Sequence, residues 1–191
     1  MGITNTKEVL LKTATDLFSR KGYAATSIRD IGAKGGISSS IIYHYFKNKE
    51  EILFTIIFSE SQELIKSLLE IENRVSDPVE CLKEMLKEQS IIFSLKGKKG
   101  DRLLLETDQL RGKRREIIQN IQRGIYEIYK RVIKRIKDQG LLKDKIDQTV
   151  IIFSIFGIIN SFHLWYRKSG RLSEEEVAEG MLKIVLNAII K

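Results

Sequence analysis

Between Thr26 and Lys49 the chain gathers short hydroxyls, a phenol beside an imidazole, and lysines: Thr26, Ser27, Ser38, Ser39, Ser40, Tyr43, His44, Lys47 and Lys49. Such groups donate to phosphate oxygens and to base edges, and the ammonium groups neutralise phosphates. Their spacing reads as two short helices joined by a tight turn. Thr26 or Ser27 caps the first helix, with Asp30 near the positive end of its dipole, and Ile28 and Ile31 face inward. Gly35 and Gly36 break the pattern where the chain must turn, since glycine takes left-handed dihedrals without steric cost. Ser38 caps a second helix to about Tyr45, which sets Ile42 and Tyr45 against the core and Ser39, Ser40, Tyr43 and His44 outward. This is the layout of a helix-turn-helix, whose second helix enters a DNA major groove.

The elements that must hold this segment follow from periodicity. One proline, abundant Ile, Leu, Lys and Glu, and few runs of alternating polarity predict an all-α chain of about nine helices. Ala14, Leu17 and Phe18 mark a first helix, and a long amphipathic helix over about 48–73 carries Leu53, Ile56, Ile57, Leu64, Leu68 and Leu69. Asp77 and Pro78 open the next, to about Leu95. Lys96 to Gly100 reads as a basic loop, followed by a short helix over about 102–109. Ile118, Ile121, Ile125, Ile128, Val132 and Ile136 place another helix over about 112–139. Asp144 caps a helix reaching about Arg167 and ended by Gly170, and Ser173 with Glu176 makes a capping box for a last helix to about Ile190.

Composition narrows the function classes. The 191 residues are 42% hydrophobic and carry a net charge of +8, which provides a core and suits a polyanionic partner. The charge is unevenly placed: residues 1–51 hold eight basic and five acidic groups, residues 111–137 ten basic and two acidic. A lone cysteine, Cys81, makes no intrachain disulfide, and the N-terminus lacks a secretory layout, so a reducing cytoplasm is expected. The apolar run from Val150 to Ile159 is half the roughly 20 residues a membrane span needs, so no membrane partner is expected. The two histidines and the cysteine have no catalytic context, and the sequence has neither a metal-ligand cluster nor a glycine-rich phosphate loop. An enzyme is not expected, nor a cofactor or metal.

The first helix with KGYAATSIRDI, then GIS, then IYHYFKNKEEIL, over roughly residues 5–54, resembles the N-terminal domain of the TetR family of transcriptional regulators. The resemblance implies a three-helix helix-turn-helix domain over 1–47 and a larger helical effector-binding and dimerisation domain over 48–191. Tyr43 and His44 match the family's aromatic pair that touches phosphates and base edges, and Lys49 matches a phosphate-contacting residue. Four positions depart from the family pattern. Gly32 and Gly35 stand where alanine is usual, which predicts a soft first helix, and Ser39 and Ser40 replace a Lys-Gly or similar pair, so base preference does not carry over.

In that family the last two helices pair with a second copy. Phe162, Trp165, Val177, Met181, Ile184, Val185 and Ala188 are the corresponding candidates here, and a twofold homodimer implies a palindromic operator. Phe54, Phe58, Leu86, Phe93, Leu104, Tyr126, Tyr129, Phe153 and Phe156 are candidate walls of an effector cavity, with Asn160 and His163 as polar anchors. The C-terminal WYRKSGRLSEEEVAEGMLKIVL is similar to regulators that respond to acyl-CoA thioesters, and Arg123, Lys130, Lys134 and Lys137, flanked by Arg131 and Arg135, would suit CoA phosphates. The resemblance implies a repressor released from its operator by a hydrophobic small molecule. A DNA-binding regulator with no effector is the alternative.

Overall fold

The computed structural model describes residues 3–94, 106–143, 146–167 and 169–191, with the side chains of 3–5, 90–94, 163 and 164 outside that description. Within it the protein is helical: α1 Ile3–Lys21, α2 Ile28–Gly35, α3 Ser39–Tyr45, α4 Lys49–Arg74, α5 Pro78–Ser94, α6 Gly112–Asp138, α7 Gln148–Trp165 and α8 Glu174–Ile189. The short helix expected over 102–109 is a 3₁₀ turn at 106–109, and its first half lies outside the described residues. One antiparallel bridge, Leu142 with Ile190, ties the chain after α6 to the end of α8. It is extended by Lys143 N–H to the Ile189 carbonyl at 2.9 Å and Lys191 N–H to the Leu141 carbonyl at 3.0 Å.

Local chemistry explains most boundaries. Ser27 and Asp30 form a capping box on α2, Ser38 caps α3, and Ser173 with Glu176 repeats the capping box on α8. Each satisfies opening N–H groups that the helix itself leaves orphaned. Two expectations at α7 need correction. Asp147, not Asp144, supplies the cap, accepting from the Thr149 N–H, and the helix stops at Trp165 with Tyr166 as C-cap, ahead of Gly170. Asp144 lies outside the described residues.

The chain forms two compact units, Met1–Gln62 with Lys99–Asn120, and Glu63–Lys98 with Ile121–Lys191. The first unit runs past residue 48 because α4 continues its core. Ile52, Leu53, Ile56 and Ile57 are buried with Leu10, Ala14, Phe18, Ile31, Ile42 and Phe46. The first turn of α4 also draws in the start of α6, where the Arg111 N–H donates to Glu50 at 3.2 Å and Arg114 lies 3.6 Å from Glu50 and 3.7 Å from Glu51. α4 and α6 therefore each begin in the first unit and end in the second. The second unit is built around Leu68, Leu82, Met85, Tyr129, Val132, Ile133 and Ile152. Cys81 is buried in that core with its thiol 3.9 Å from the Met85 sulfur, and burial pushes its pKa up.

The softness expected of α2 is not what the structure gives. Gly32 is buried, and the Ile37 N–H returns to its carbonyl at 2.9 Å to close the turn. A Cβ there would meet the Ile37 carbonyl oxygen at 2.6 Å, so glycine is required by close approach, while Gly36 supplies the left-handed φ of 64°. Gly32→Ala should consequently destabilise the fold by about 1–3 kcal/mol. An isolated helix would instead gain about 0.5–1 kcal/mol from the same change. Urea unfolding that showed a more stable variant would refute this account of the turn.

Candidate nucleic-acid interface

α3 has only seven residues, and it is positioned from both ends. Ile42 on its inner side is fully buried, Ser38 accepts from the Ile41 N–H at 3.3 Å, and Phe46, buried just beyond the last turn, anchors the exit. The opposite face carries Ser40, Ile41, Tyr43 and His44, all exposed, with Ser39 half-buried at its edge. Tyr43 leaves 56% of its surface open and Ile41 44%. Large side chains held out from a rigid helix without intrachain cover offer donors and apolar contact to a groove floor. Ile42 takes the inward place that its spacing predicts, and Ile41, not singled out from sequence, takes the outward one.

The hydroxyls before α3 have other work. Thr26 is buried and its hydroxyl donates to the Gly22 carbonyl at 2.9 Å, closing the α1–α2 loop, so it has no face to offer a ligand. The Ser27 hydroxyl and backbone N–H donate to Asp30 Oδ2 at 2.7 Å and 2.8 Å, which holds the Asp30 carboxyl below the usual range, while Ser27 Oγ accepts from the Asp30 N–H at 3.1 Å. Ser38 is likewise committed to its cap. Their sequence signal was ambiguous for a physical reason: a cap serine and a phosphate-binding serine use the same oxygen.

Lys49 requires the largest correction. Its ammonium donates to the carbonyls of Thr26 at 2.7 Å and Tyr23 at 2.8 Å, with that of Ala24 at 3.4 Å, and sits 4.3 Å from the centre of the Tyr23 ring. Desolvation lowers its pKa. The group is a clasp between α4 and the α1–α2 loop, its donors already used. Tyr23, overlooked in the sequence, is the other half of the clasp and stacks edge-on against Phe18 at 5.2 Å. Lys47 is exposed, and its own N–H donates to Glu51 at 2.7 Å, leaving the side chain beside the exit of α3.

The described effector candidates are divided between the two units. Phe54 and Phe58 stack on each other at 5.5 Å in the first unit. In the second unit Tyr126 stacks on Phe153 at 5.7 Å, and Phe156 meets Tyr129 at 5.1 Å and Phe153 at 6.3 Å. Leu86 and Tyr129 are core residues and Phe153 is 60% exposed, so neither kind reads as a plain cavity wall. Asn160 is half-buried; the side chains of Phe93 and His163, and the whole of Leu104, lie outside the described residues. A polar pair missed by sequence lies within this core: the Tyr129 hydroxyl donates to Gln89 Oε1 at 2.6 Å, and burial raises the tyrosine pKa. On the basic side of α6 three cations meet carboxylates, Arg131 with Glu72 at 2.5 Å, Lys134 with Asp138 at 2.6 Å and Lys130 with Glu127 at 3.6 Å, while Arg123 and Lys137 stand exposed.

The dimer candidates separate into two sets. Phe162, Val177 and Val185 are buried within the subunit itself, Val185 to 4% exposure, and Met181 is half-buried. Trp165, Ile184 and Ala188 are exposed, and so are Val150, Phe153 and Gly157 on α7 and Leu172 before α8. A cleft of about 250 Å³ at the α7–α8 turn is lined by Trp165, Tyr166, Arg167, Gly170, Arg171, Leu172 and Val177.

Comparison with known proteins places these features in company. Residues 10–56 match the bacterial regulatory proteins of the tetR family, and residues 75–189 match the tetracyclin repressor-like C-terminal domain. The chain is 24% identical over 195 residues to the HTH-type transcriptional repressor KstR2 of Mycobacterium tuberculosis, covering 95% of this chain and 92% of that protein. It is 23% identical to the fatty acid metabolism regulator protein of Bacillus subtilis, covering 94% and 93%. The crystal structure of AibR in complex with isovaleryl coenzyme A and operator DNA superposes with a TM-score of 0.86 at 26% identity, covering 94% of this chain and 97% of that one.

The clasp makes a measurable claim about Lys49. Lys49→Met keeps the aliphatic stem and removes the ammonium, so it should lower stability by about 1–2 kcal/mol through the abandoned carbonyls. The slope of log affinity for duplex DNA against log salt should stay unchanged. A slope flattened by about 0.9 with an unaltered melting temperature would mean that the ammonium reaches a phosphate after all.

Proposed function

The chain belongs to the tetR family of bacterial regulatory proteins, and from that membership we propose that it is a homodimeric repressor which reads a palindromic operator through α3 and leaves it on binding a hydrophobic acyl thioester. DNA-binding regulation of transcription is the family's function, and the matched families are regulators rather than enzymes. The observation that carries the reading is the outward face of α3, where Ser40, Ile41, Tyr43 and His44 stand exposed on a helix fixed at both ends. Lys47 adds a cation at the groove edge. Tyr43 and His44 contact phosphate and base edges, Ser39 and Ser40 pair with bases, and Thr26, Ser27, Ser38 and Lys49 hold the reading head in place.

Dimerisation uses the exposed strip of Val150, Gly157 and Trp165 on α7 with Ile184 and Ala188 on α8. Two helices that leave large apolar side chains uncovered within one subunit gain by burying them against a second copy. The acyl thioester reading draws on the coenzyme A ligand in the AibR structure and on the fatty-acid regulator among the relatives. Within this chain the apolar side chains of the second unit and the cations along α6 supply the matching chemistry. α4 and α6 are the continuous elements from that core to the first unit. A ligand favouring one arrangement of them shifts the population of DNA-competent dimers, and reciprocity requires operator DNA to weaken ligand binding by the same factor.

Three measurements test this. Duplexes selected from a random pool should bind, and Tyr43→Ala should weaken that binding by about 1–3 kcal/mol with folding intact. Unchanged affinity would remove α3 as the reading element. Ile184→Glu should give folded monomers, whereas Val185→Glu should unfold the subunit, because it buries an unpaired charge inside one copy. A sedimentation profile still dimeric for Ile184→Glu would move the interface elsewhere. Isovaleryl and long-chain acyl-CoAs should raise the melting temperature of the free protein and release the selected duplex; failure with both chain lengths rejects the effector class while leaving the DNA reading standing.

A further inference from the structure

The excess positive charge of this sequence begins at Arg111, well outside the helix-turn-helix, and the fold brings its first part back to α3. Residues 111–115 read Arg-Gly-Lys-Arg-Arg and belong to the compact unit of α1 to α3. The joint is specific. Glu51 Oε2 accepts from the Lys47 N–H at 2.7 Å and lies 3.7 Å from the Arg114 guanidinium, so one carboxylate oxygen links the start of α6 to the segment leaving α3. Glu50 adds the Arg111 N–H at 3.2 Å and Arg114 at 3.6 Å, and Arg111 and Arg114 both act electrostatically on Tyr23 in the α1–α2 loop.

We infer that the N-terminal turn of α6 is a second DNA-contacting element, in which Arg111 and Lys113 grip the phosphate backbone bordering the groove that α3 occupies. Arg114 is the strut, spent on Glu50 and Glu51 and only part exposed, and Arg115 is matched by Asp108 at 3.0 Å. Arg111 and Lys113 stand exposed on the same turn. A B-DNA major groove is about 12 Å wide, and its rim of phosphates is the partner that exposed cations tied next to the exit of α3 would meet. The site also contains carboxylates: Asp108, Glu116, Glu50 and Glu51 lie along it, and all but Glu116 are tied to the cations or N–H groups named above. The chemistry it fits is a row of phosphodiesters, read for position and not for sequence. It supplies cations where the helix-turn-helix, with eight basic against five acidic residues over 1–51, has a small surplus.

The inference rests on the DNA-binding reading, and one experiment separates their fates. Binding of the full-length protein to a mixed-sequence duplex of about 40 base pairs is measured across a salt series. The double variant Arg111→Ala/Lys113→Ala should lose affinity and flatten the slope of log affinity against log salt by about 1.8 per subunit, with melting temperature and dimerisation unchanged. Lys87→Ala/Lys183→Ala, which removes two exposed cations of the second unit, should leave the slope as in the parent and serves as the control for net charge. An unaltered slope in the first variant, or an equal fall in both, overturns the clamp alone. Absence of any duplex binding by the parent at low salt overturns the clamp and the DNA reading together.

Discussion

The reading head of this protein depends on where one ammonium group is kept. α3 is too short to hold its own direction; isolated helices of seven residues do not persist in water. Its orientation is inherited from α2, against which it packs, and the clasp of Lys49 on the Tyr23, Ala24 and Thr26 carbonyls fixes the start of α4 against the loop that leads into α2. The clasp works because a lysine stem is long enough to cross from a helix start to a neighbouring loop, and because the Tyr23 ring covers the charge without excluding the carbonyls. Thr26 closes the same loop from the inside, and the Ser27 capping box then starts α2. The outward face of α3 can be polar and mobile in its side chains because the whole cost of order is carried behind it.

Much of this was legible in the sequence, for reasons specific to each element. Capping boxes are local, needing two side chains three residues apart, so Ser173 with Glu176 could be read directly, while at α2 the sequence left Thr26 and Ser27 open and the structure chooses Ser27 with Asp30. Helical periods longer than about ten residues also averaged out noise, and α4, α5, α6 and α8 fall within a residue or two of expectation. What failed to show was long-range. The role of Lys49 depends on carbonyls more than twenty positions away, and carbonyls carry no sequence signature. Gly32 looked like a weakness by propensity, and the approach of the Ile37 carbonyl turns it into a requirement. Asp147 was passed over for Asp144, since two acids three residues apart are equally good caps until the backbone chooses.

The second unit shows the limit of pattern reading in another form. An apolar face marks residues that avoid water, and it does not say whether the cover comes from the same chain or another. Val185 and Ile184 are adjacent, both β-branched, and lie on α8; one is core and its neighbour is 64% exposed. Which is which follows from the Leu142–Ile190 bridge, which fixes the rotation of α8 about its axis by pinning its last turn. Aromatic residues were ambiguous in the same way. Phe153 and Phe156 lie three positions apart on α7, yet Phe156 packs over buried Tyr129 while Phe153 looks outward from its stack on Tyr126.

Cys81 gives the second unit a property that has nothing to do with ligands or DNA. Its thiol is buried, lies 3.9 Å from the Met85 sulfur, and has its pKa pushed up by burial. Oxidants and alkylating reagents act on thiolates they can reach, so neither condition is met here. The only cysteine of the sequence is therefore a packing residue, and its thiol is a poor target for reagents that would mark an exposed one.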